Sequence, residues 1–293
     1  MKCTLCPREC GIDREKSKGY CGCGEAVKIA KVMLHKWEEP SISGKNGSGA
    51  VFFSGCPLKC VYCQNMDISH GGGGYEVTVG RLAEIFLSLQ EKGAHNINLV
   101  SPTQYADKIR LALDMIRDRL EIPVVYNTGG YEKPSEIEKM RGYVDVFLTD
   151  IKYFSNELSE KYSKASDYFE NAIESLKKMM EMCPQCTYDE NGIMKSGVIL
   201  RHLVLPSHRA DSIKILESVA EICDISKIKL SLMSQYTPDF YKGDITALKR
   251  KITTFEYDSV VNRAIELGYD GYVQEKSSAS SIYTPDFTKG DMI

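Results

Sequence analysis

The sequence predicts an α/β fold: a parallel β/α sheet curved into a full or partial barrel, preceded by a cysteine-rich appendage. Three observations carry the prediction. From Ala50 onward, short β-rich runs alternate with segments whose apolar residues recur at helical spacing. The residues just after each run are polar or glycine-rich, and that is where a parallel barrel places its chemistry. A chain of 293 residues with 43% hydrophobic content also suits one closed α/β unit with an appendage.

Residues 1–49 hold five of the eleven cysteines and much Gly and Lys, with helical periodicity only between 26 and 35, so a force other than a core must organise them. Strands are expected at 50–53, 96–100, 123–126, 144–148, 197–204, 229–233 and 272–274, where β-branched and aromatic residues cluster between turn formers. Between them run helical stripes, from Leu82, Ile85, Phe86 and Leu89 to Val260, Val261, Ala264 and Leu267, each a face to pack on the sheet. The barrel should occupy 50–276 and a tail 277–293. In that tail Tyr283-Thr284-Pro285-Asp286-Phe287 repeats Tyr236-Thr237-Pro238-Asp239-Phe240, read either as two similar turns near the barrel mouth or as coincident turn chemistry. Gly71 to Gly74 read as a linker, and His35, His70, His95 and His208 as isolated loop or solvent residues.

Net charge of −3 and a pI near 6.0 provide no basic footprint, which disfavours a nucleic-acid partner and an anionic membrane surface. No run approaches the ~20 apolar residues of a membrane span, and the N-terminus has no apolar stretch behind a charged start, so a cytoplasmic protein is expected. Cysteines at metal-ligand spacings there are reduced thiolates, not a disulfide framework.

The sharpest motif is Cys56-Pro57-Leu58-Lys59-Cys60-Val61-Tyr62-Cys63, directly after the first strand. Three thiolates so spaced wrap one small inorganic core and leave a further metal position without a cysteine, whereas zinc or scattered buried thiols are the competing readings. Five more cysteines, Cys3, Cys6, Cys10, Cys21 and Cys23, form a second constellation. Of these, Cys3, Cys6, Cys10 and Cys21 are the candidate ligands, compatible with zinc or with a second iron–sulfur site. Cys183 and Cys186 form an isolated pair, read as loop thiols.

The triplet, with Tyr62 inside it, resembles the cluster motif of the radical S-adenosylmethionine (SAM) enzymes. Cys3-Thr4-Leu5-Cys6-Pro7-Arg8-Glu9-Cys10-Gly11, Glu38-Glu39-Pro40-Ser41-Ile42-Ser43-Gly44 and Tyr126-Asn127-Thr128-Gly129-Gly130-Tyr131 extend the resemblance to the pyruvate formate-lyase-activating-enzyme-like group, in its PflX-type branch. It implies a radical SAM barrel with a [4Fe–4S] cluster on Cys56, Cys60 and Cys63, and SAM bound at the open iron. It also implies that Asp150, Lys152 and Arg201 position SAM, Lys and Arg on its carboxylate and Asp on its ammonium, with Tyr62 beside the adenine. The Gly-Gly-Glu-Pro segment that binds the ammonium in many relatives is replaced by Ser101-Pro102-Thr103-Gln104, which makes Thr103 and Gln104 neutral substitutes and brings in Asn127 or Thr128. Where the activating enzymes carry a His near the sixth strand, this chain has Tyr236. The resemblance implies a one-electron donor such as flavodoxin or ferredoxin, and assigns no acid–base residue to SAM cleavage. Three functions stay open: an activase taking a glycine hydrogen from a partner protein, a radical SAM enzyme acting on a small molecule or peptide, and a non-catalytic electron carrier or metal-ordered interaction module.

Overall fold

The computed structural model describes residues 2–70, 72–275, 278–280 and 285–287. Its strands are β1 Val27–His35, β2 Ser48–Phe53, β3 Tyr75–Val77, β4 Ile97–Val100, β5 Val124–Thr128, β6 Val146–Asp150, β7 Thr187–Tyr188, β8 Met194–Leu203, β9 Ile228–Met233 and β10 Gly271–Val273. They form one sheet in the order β3-β1-β2-β4-β5-β6-β8-β9-β10, with β7 paired to β8 at the side. From β2 to β10 every neighbour on that path is parallel, while β1 is antiparallel to both β2 and β3. Among the described residues no pairing joins β3 to β10, so the sheet is a partial barrel. Every strand expected from the sequence is present, and the helices Val79–Glu91, Ala106–Asp114, Tyr168–Met182, Arg209–Ile222 and Thr254–Leu267 carry the five apolar stripes. No helix among the described residues is long and apolar enough to cross a membrane.

The segment with apparent helical periodicity, 26–35, is instead the strand β1. Val27 and Ile29 are buried on alternate positions, then the register shifts between Ile29 and Lys31 and the next buried apolar residue is Val32. An extra residue at a bulge breaks the period of two, and the resulting spacing of three imitates a helix. The sheet therefore takes in residues that composition assigns to the appendage, and β1 delivers His35, Trp37 and Glu38 to the barrel rim.

Side chains alternate across each strand. Val125, Val146, Leu148 and Ile199 point inside with Met194, and Ile42 of the short helix Pro40–Ser43 packs against them. One step further along the same faces lie Asn127, Asp150 and Arg201. The outer face meets the helices in the main core, which includes Phe86, Ile109, Phe147, Leu176, Leu216 and Val260. Of the tail's repeat, only Pro285, Asp286 and Phe287 fall within the described residues; the Phe287 ring meets Phe52 edge-on at 5.6 Å.

Candidate active site

The open end of the barrel is a cavity at the carboxyl ends of the strands, lined by Cys60, Tyr62, Cys63, Asn127, Asp150, Lys152 and Arg201, together with His35, Trp37 and Glu38 from beyond β1.

The cysteine loop is fixed before any ligand arrives. Gly55 turns the chain out of β2 at φ +84°, where a Cβ would collide with the Cys23 sulfur; only glycine lets the appendage pack so closely. Gly55 N–H donates to Ile68 O (2.8 Å) and Val61 N–H to Tyr162 O (2.9 Å). Two sulfurs already accept hydrogen bonds: Cys56 from Leu58 N–H (3.4 Å) and Cys60 from the Ser163 hydroxyl (3.0 Å). Such donors favour thiolates and tune a cluster that they hold. Tyr153 shares this network, donating to the Tyr62 hydroxyl (2.8 Å) and meeting Ser163 Oγ at 2.7 Å. Tyr236 is also structural: its ring packs edge-on to Tyr62 and its hydroxyl donates to Leu248 O (2.5 Å).

Across from the loop is a charge network built by pairing β5, β6 and β8. Arg201 donates through Nε to Asp150 (2.8 Å), through one terminal nitrogen to Glu38 (3.2 Å), and through the other to Asn127 Oδ1 (2.6 Å). Lys152 bonds the second Asp150 oxygen. Glu38 also accepts from Asn98 and Asn127, each at 3.1 Å. Burial alone would push the Asp150 carboxyl up, but Arg201 and Lys152 outweigh it and hold it below the ordinary aspartate value. For Arg201, burial is likewise overcome, by Asp150, Glu39 and Glu38, and its pKa is raised. Two half-buried cations and two carboxylates thus face a polar cavity, which matches a zwitterion better than a neutral or singly charged ligand.

Thr103, Gln104 and Thr128 are not brought into this cavity. On β5 Asn127 faces inward and Thr128 therefore faces outward, where its hydroxyl and that of Thr103 (2.5 Å) both donate to Glu132 Oε1. Gln104 donates to the carbonyls of Ser54, Gly55 and Ser101 at 2.8–3.1 Å, bracing the base of the cysteine loop. Both Asp150 oxygens are engaged by cations, so the acidic group added to the site is Glu38, which follows β1, a strand whose spacing imitates a helix. His35, expected as an isolated loop residue, is 7% exposed, lines the cavity, packs edge-on to Phe52 and has no hydrogen-bond partner for its buried Nδ1 among the described residues. His202, next to Arg201, faces the helices, bonded to Ile151 O (2.7 Å) and Ser212 Oγ (2.8 Å).

None of the eleven cysteines is disulfide-bonded. Cys183 and Cys186 direct their thiols at separate backbone carbonyls, as loop thiols do. Cys3, Cys6, Cys10 and Cys21 meet around one small cavity beside Pro57, while Cys23, outside that lining, hydrogen-bonds to Cys21 and to Ser54 O (3.2 Å).

The groups that line the cavity fit a [4Fe–4S] cluster and SAM: cysteines whose loop sulfurs already accept hydrogen bonds, together with a network of paired charges. Residues 50–194 match the Radical SAM superfamily. The chain is 28% identical over 280 residues to an uncharacterized protein of Methanocaldococcus jannaschii, covering 92% of this chain and 75% of that one. It is 22% identical over 205 residues to the pyruvate formate-lyase-activating enzyme of Clostridium pasteurianum, covering 64% of this chain and 76% of that one. Its fold superposes on SuiB of Streptococcus suis, crystallised with the precursor peptide SuiA, with a TM-score of 0.53 at 14% identity. That match covers 75% of this chain and 46% of SuiB, so the chain spans less than half of SuiB's length.

Proposed function

With a radical SAM domain over residues 50–194 as the premise, we propose that this enzyme takes a hydrogen atom from a polypeptide substrate at the mouth of the barrel. The observation that carries the reading is that Cys60 and Cys63 line the same cavity as Glu38, Asn127, Asp150, Lys152 and Arg201. Cys56, Cys60 and Cys63 would hold the cluster; when bound, it supplies one electron to SAM, giving methionine and the 5′-deoxyadenosyl radical that abstracts hydrogen. Arg201 and Lys152 would attract the methionine carboxylate, and Glu38, oriented by Asn98 and Asn127, would accept from the ammonium. Asp150 positions the two cations. Tyr62, whose hydroxyl is held by Tyr153, forms the wall against which the adenine packs. Leu58 N–H and Ser163 Oγ stabilise the thiolates, and the tyrosine packing beneath the loop keeps water away.

A polypeptide substrate is supported by the rim. Trp37 is 60% exposed beside Glu38 and Gln235, an aromatic platform outside the charged floor. SuiB was crystallised with a precursor peptide, and the Clostridium pasteurianum relative is a pyruvate formate-lyase-activating enzyme. Glycyl-radical activation by a PflX-type enzyme is the specific form of this reading. The test is anaerobic reconstitution with iron, sulfide, SAM and dithionite, then assay of 5′-deoxyadenosine against deuterated host protein. Deuterium in the 5′-deoxyadenosine supports the proposal; no cleavage, or deuterium arriving only from the small-molecule fraction, overturns it.

A further inference from the structure

We propose that Cys3, Cys6, Cys10 and Cys21 hold a second iron–sulfur cluster that feeds electrons to the one on Cys56, Cys60 and Cys63. The relay rests on the radical SAM reading; the second cluster does not. These four thiols, drawn from a segment with little core of its own, line one cavity closed by Leu5 and Pro57. Gly19 keeps it open: a Cβ there would stand 3.2 Å from the Cys10 sulfur and 3.5 Å from that of Cys21.

The donor set limits the kind of metal site. Among the described residues that line this cavity, the metal-ligating side chains are the four thiols, with no histidine or carboxylate. Tetrahedral zinc draws four sulfurs to one centre at about 2.3 Å each. In a cluster each thiolate binds its own iron, so the sulfurs surround a larger core and stand farther apart. Four thiols around one cavity offer one sulfur to each iron, and we read them as a cluster site.

Its place assigns the role. Cys56 N–H donates to Cys21 O at 3.3 Å, so one hydrogen bond joins the peptide of a proposed ligand in one set to that of a ligand in the other. Arg8, between Cys6 and Cys10, donates to Pro57 O at 2.9 Å and locks the same seam. One electron from a low-potential flavin or iron–sulfur donor reduces the N-terminal cluster and oxidises the donor, then moves on to reduce the catalytic cluster, with no bond made and no proton moved.

The first measurement is on a variant with Cys56, Cys60 and Cys63 all changed to Ala, reconstituted anaerobically. About four iron and four sulfide per chain, with a paramagnetic signal on reduction, are expected. Zinc alone, or no metal, overturns the site. The second measures the ratio of flavodoxin-driven to dithionite-driven SAM cleavage in Cys10→Ser and, separately, Cys21→Ser, since dithionite reaches the catalytic cluster directly. That ratio should fall about tenfold or more; an unchanged ratio in both variants overturns the relay. Should the parent protein not cleave SAM while the triple variant still binds four irons, the radical SAM reading fails and the second cluster stands.

Discussion

The two cysteine-bearing regions are held in opposite ways. The loop carrying Cys56, Cys60 and Cys63 lies on a large core: Leu58 and Tyr62 are buried, and its own Leu58 N–H and the Ser163 hydroxyl donate to its sulfurs. The appendage before β1 has almost no core. It is tied down by long cationic side chains that reach across to backbone carbonyls, Arg8 to Pro57, Ser163 and Lys164, and Arg14 to Gly24 and Gln104. One region is ordered by burial and can position a ligand unaided; the other leans on a few charged hydrogen bonds, and in our proposal on metal. A bound metal supplies ~10–16 kcal/mol in small modules of that kind.

The largest effect should come from the core-held loop. Cys60→Ala leaves the packing around Leu58 and Tyr62 in place but removes one cluster ligand, so 5′-deoxyadenosine formation should drop to background with the far-ultraviolet circular dichroism unchanged. Residual cleavage near the parent rate would contradict the site.

Next is the charge wall. Arg201→Gln leaves the buried Asp150 with only Lys152 and the half-buried Glu38 without its cation, at a cost of about 3–5 kcal/mol. Urea denaturation should show the loss, and SAM affinity should fall with it; a shift under 1 kcal/mol, roughly a surface-pair value, would mean the network is solvated and not a binding wall.

The seam between the regions is testable by pH. Burial lifts the Glu132 carboxyl to about 7 from the ordinary 4.5, against the hydrogen bonds from Thr103 and Thr128 that pull it down. A raised pKa means the folded state holds a proton that the unfolded state has released. The stability due to Glu132 is full below about pH 4.5 and lost as pH rises to about 7, amounting to about 3 kcal/mol. Glu132→Gln should match the parent near pH 4.5 and exceed it above pH 7. Parallel stability curves for the two proteins across that window would refute the assignment.

The smallest effect belongs to the appendage. Arg8→Ala removes charged donors to three carbonyls, worth about 1–3 kcal/mol, and the loss should be local. Limited proteolysis should cut within residues 2–26 faster, while the melting of the barrel stays put. A lowered barrel melting temperature would show that the two regions fold as one.

The contrast also explains what could be read in advance. The triplet, the parallel strands and the five long helices were legible because each rests on local spacing: 3.6 for a buried helix face, two for a strand, and a fixed ligand count in one loop. β1 was lost because a single bulge changed the phase of its pattern. With it went Glu38, His35 and Trp37, although the acidic pair Glu38-Glu39 ahead of Pro40 was a visible signal. The outward position of Thr128 was not legible, because strand-end polarity does not tell inward from outward when the phase of the strand is unknown.

Composition and spacing alone determined the chemistry available to this protein: three thiolates in one loop, a barrel to carry them, and four more thiolates in a segment with little core. Tertiary structure decided which groups meet. Asp150 stands opposite Arg201 because β6 and β8 pair in that register, and Arg201 reaches Glu38 across 163 residues of chain because β1 runs back along the edge of β2. A local pattern is set by the geometry of a few consecutive residues, whereas a contact between distant residues depends on the register of every strand between them. A slip of one residue in any of those strands would exchange its inward and outward faces.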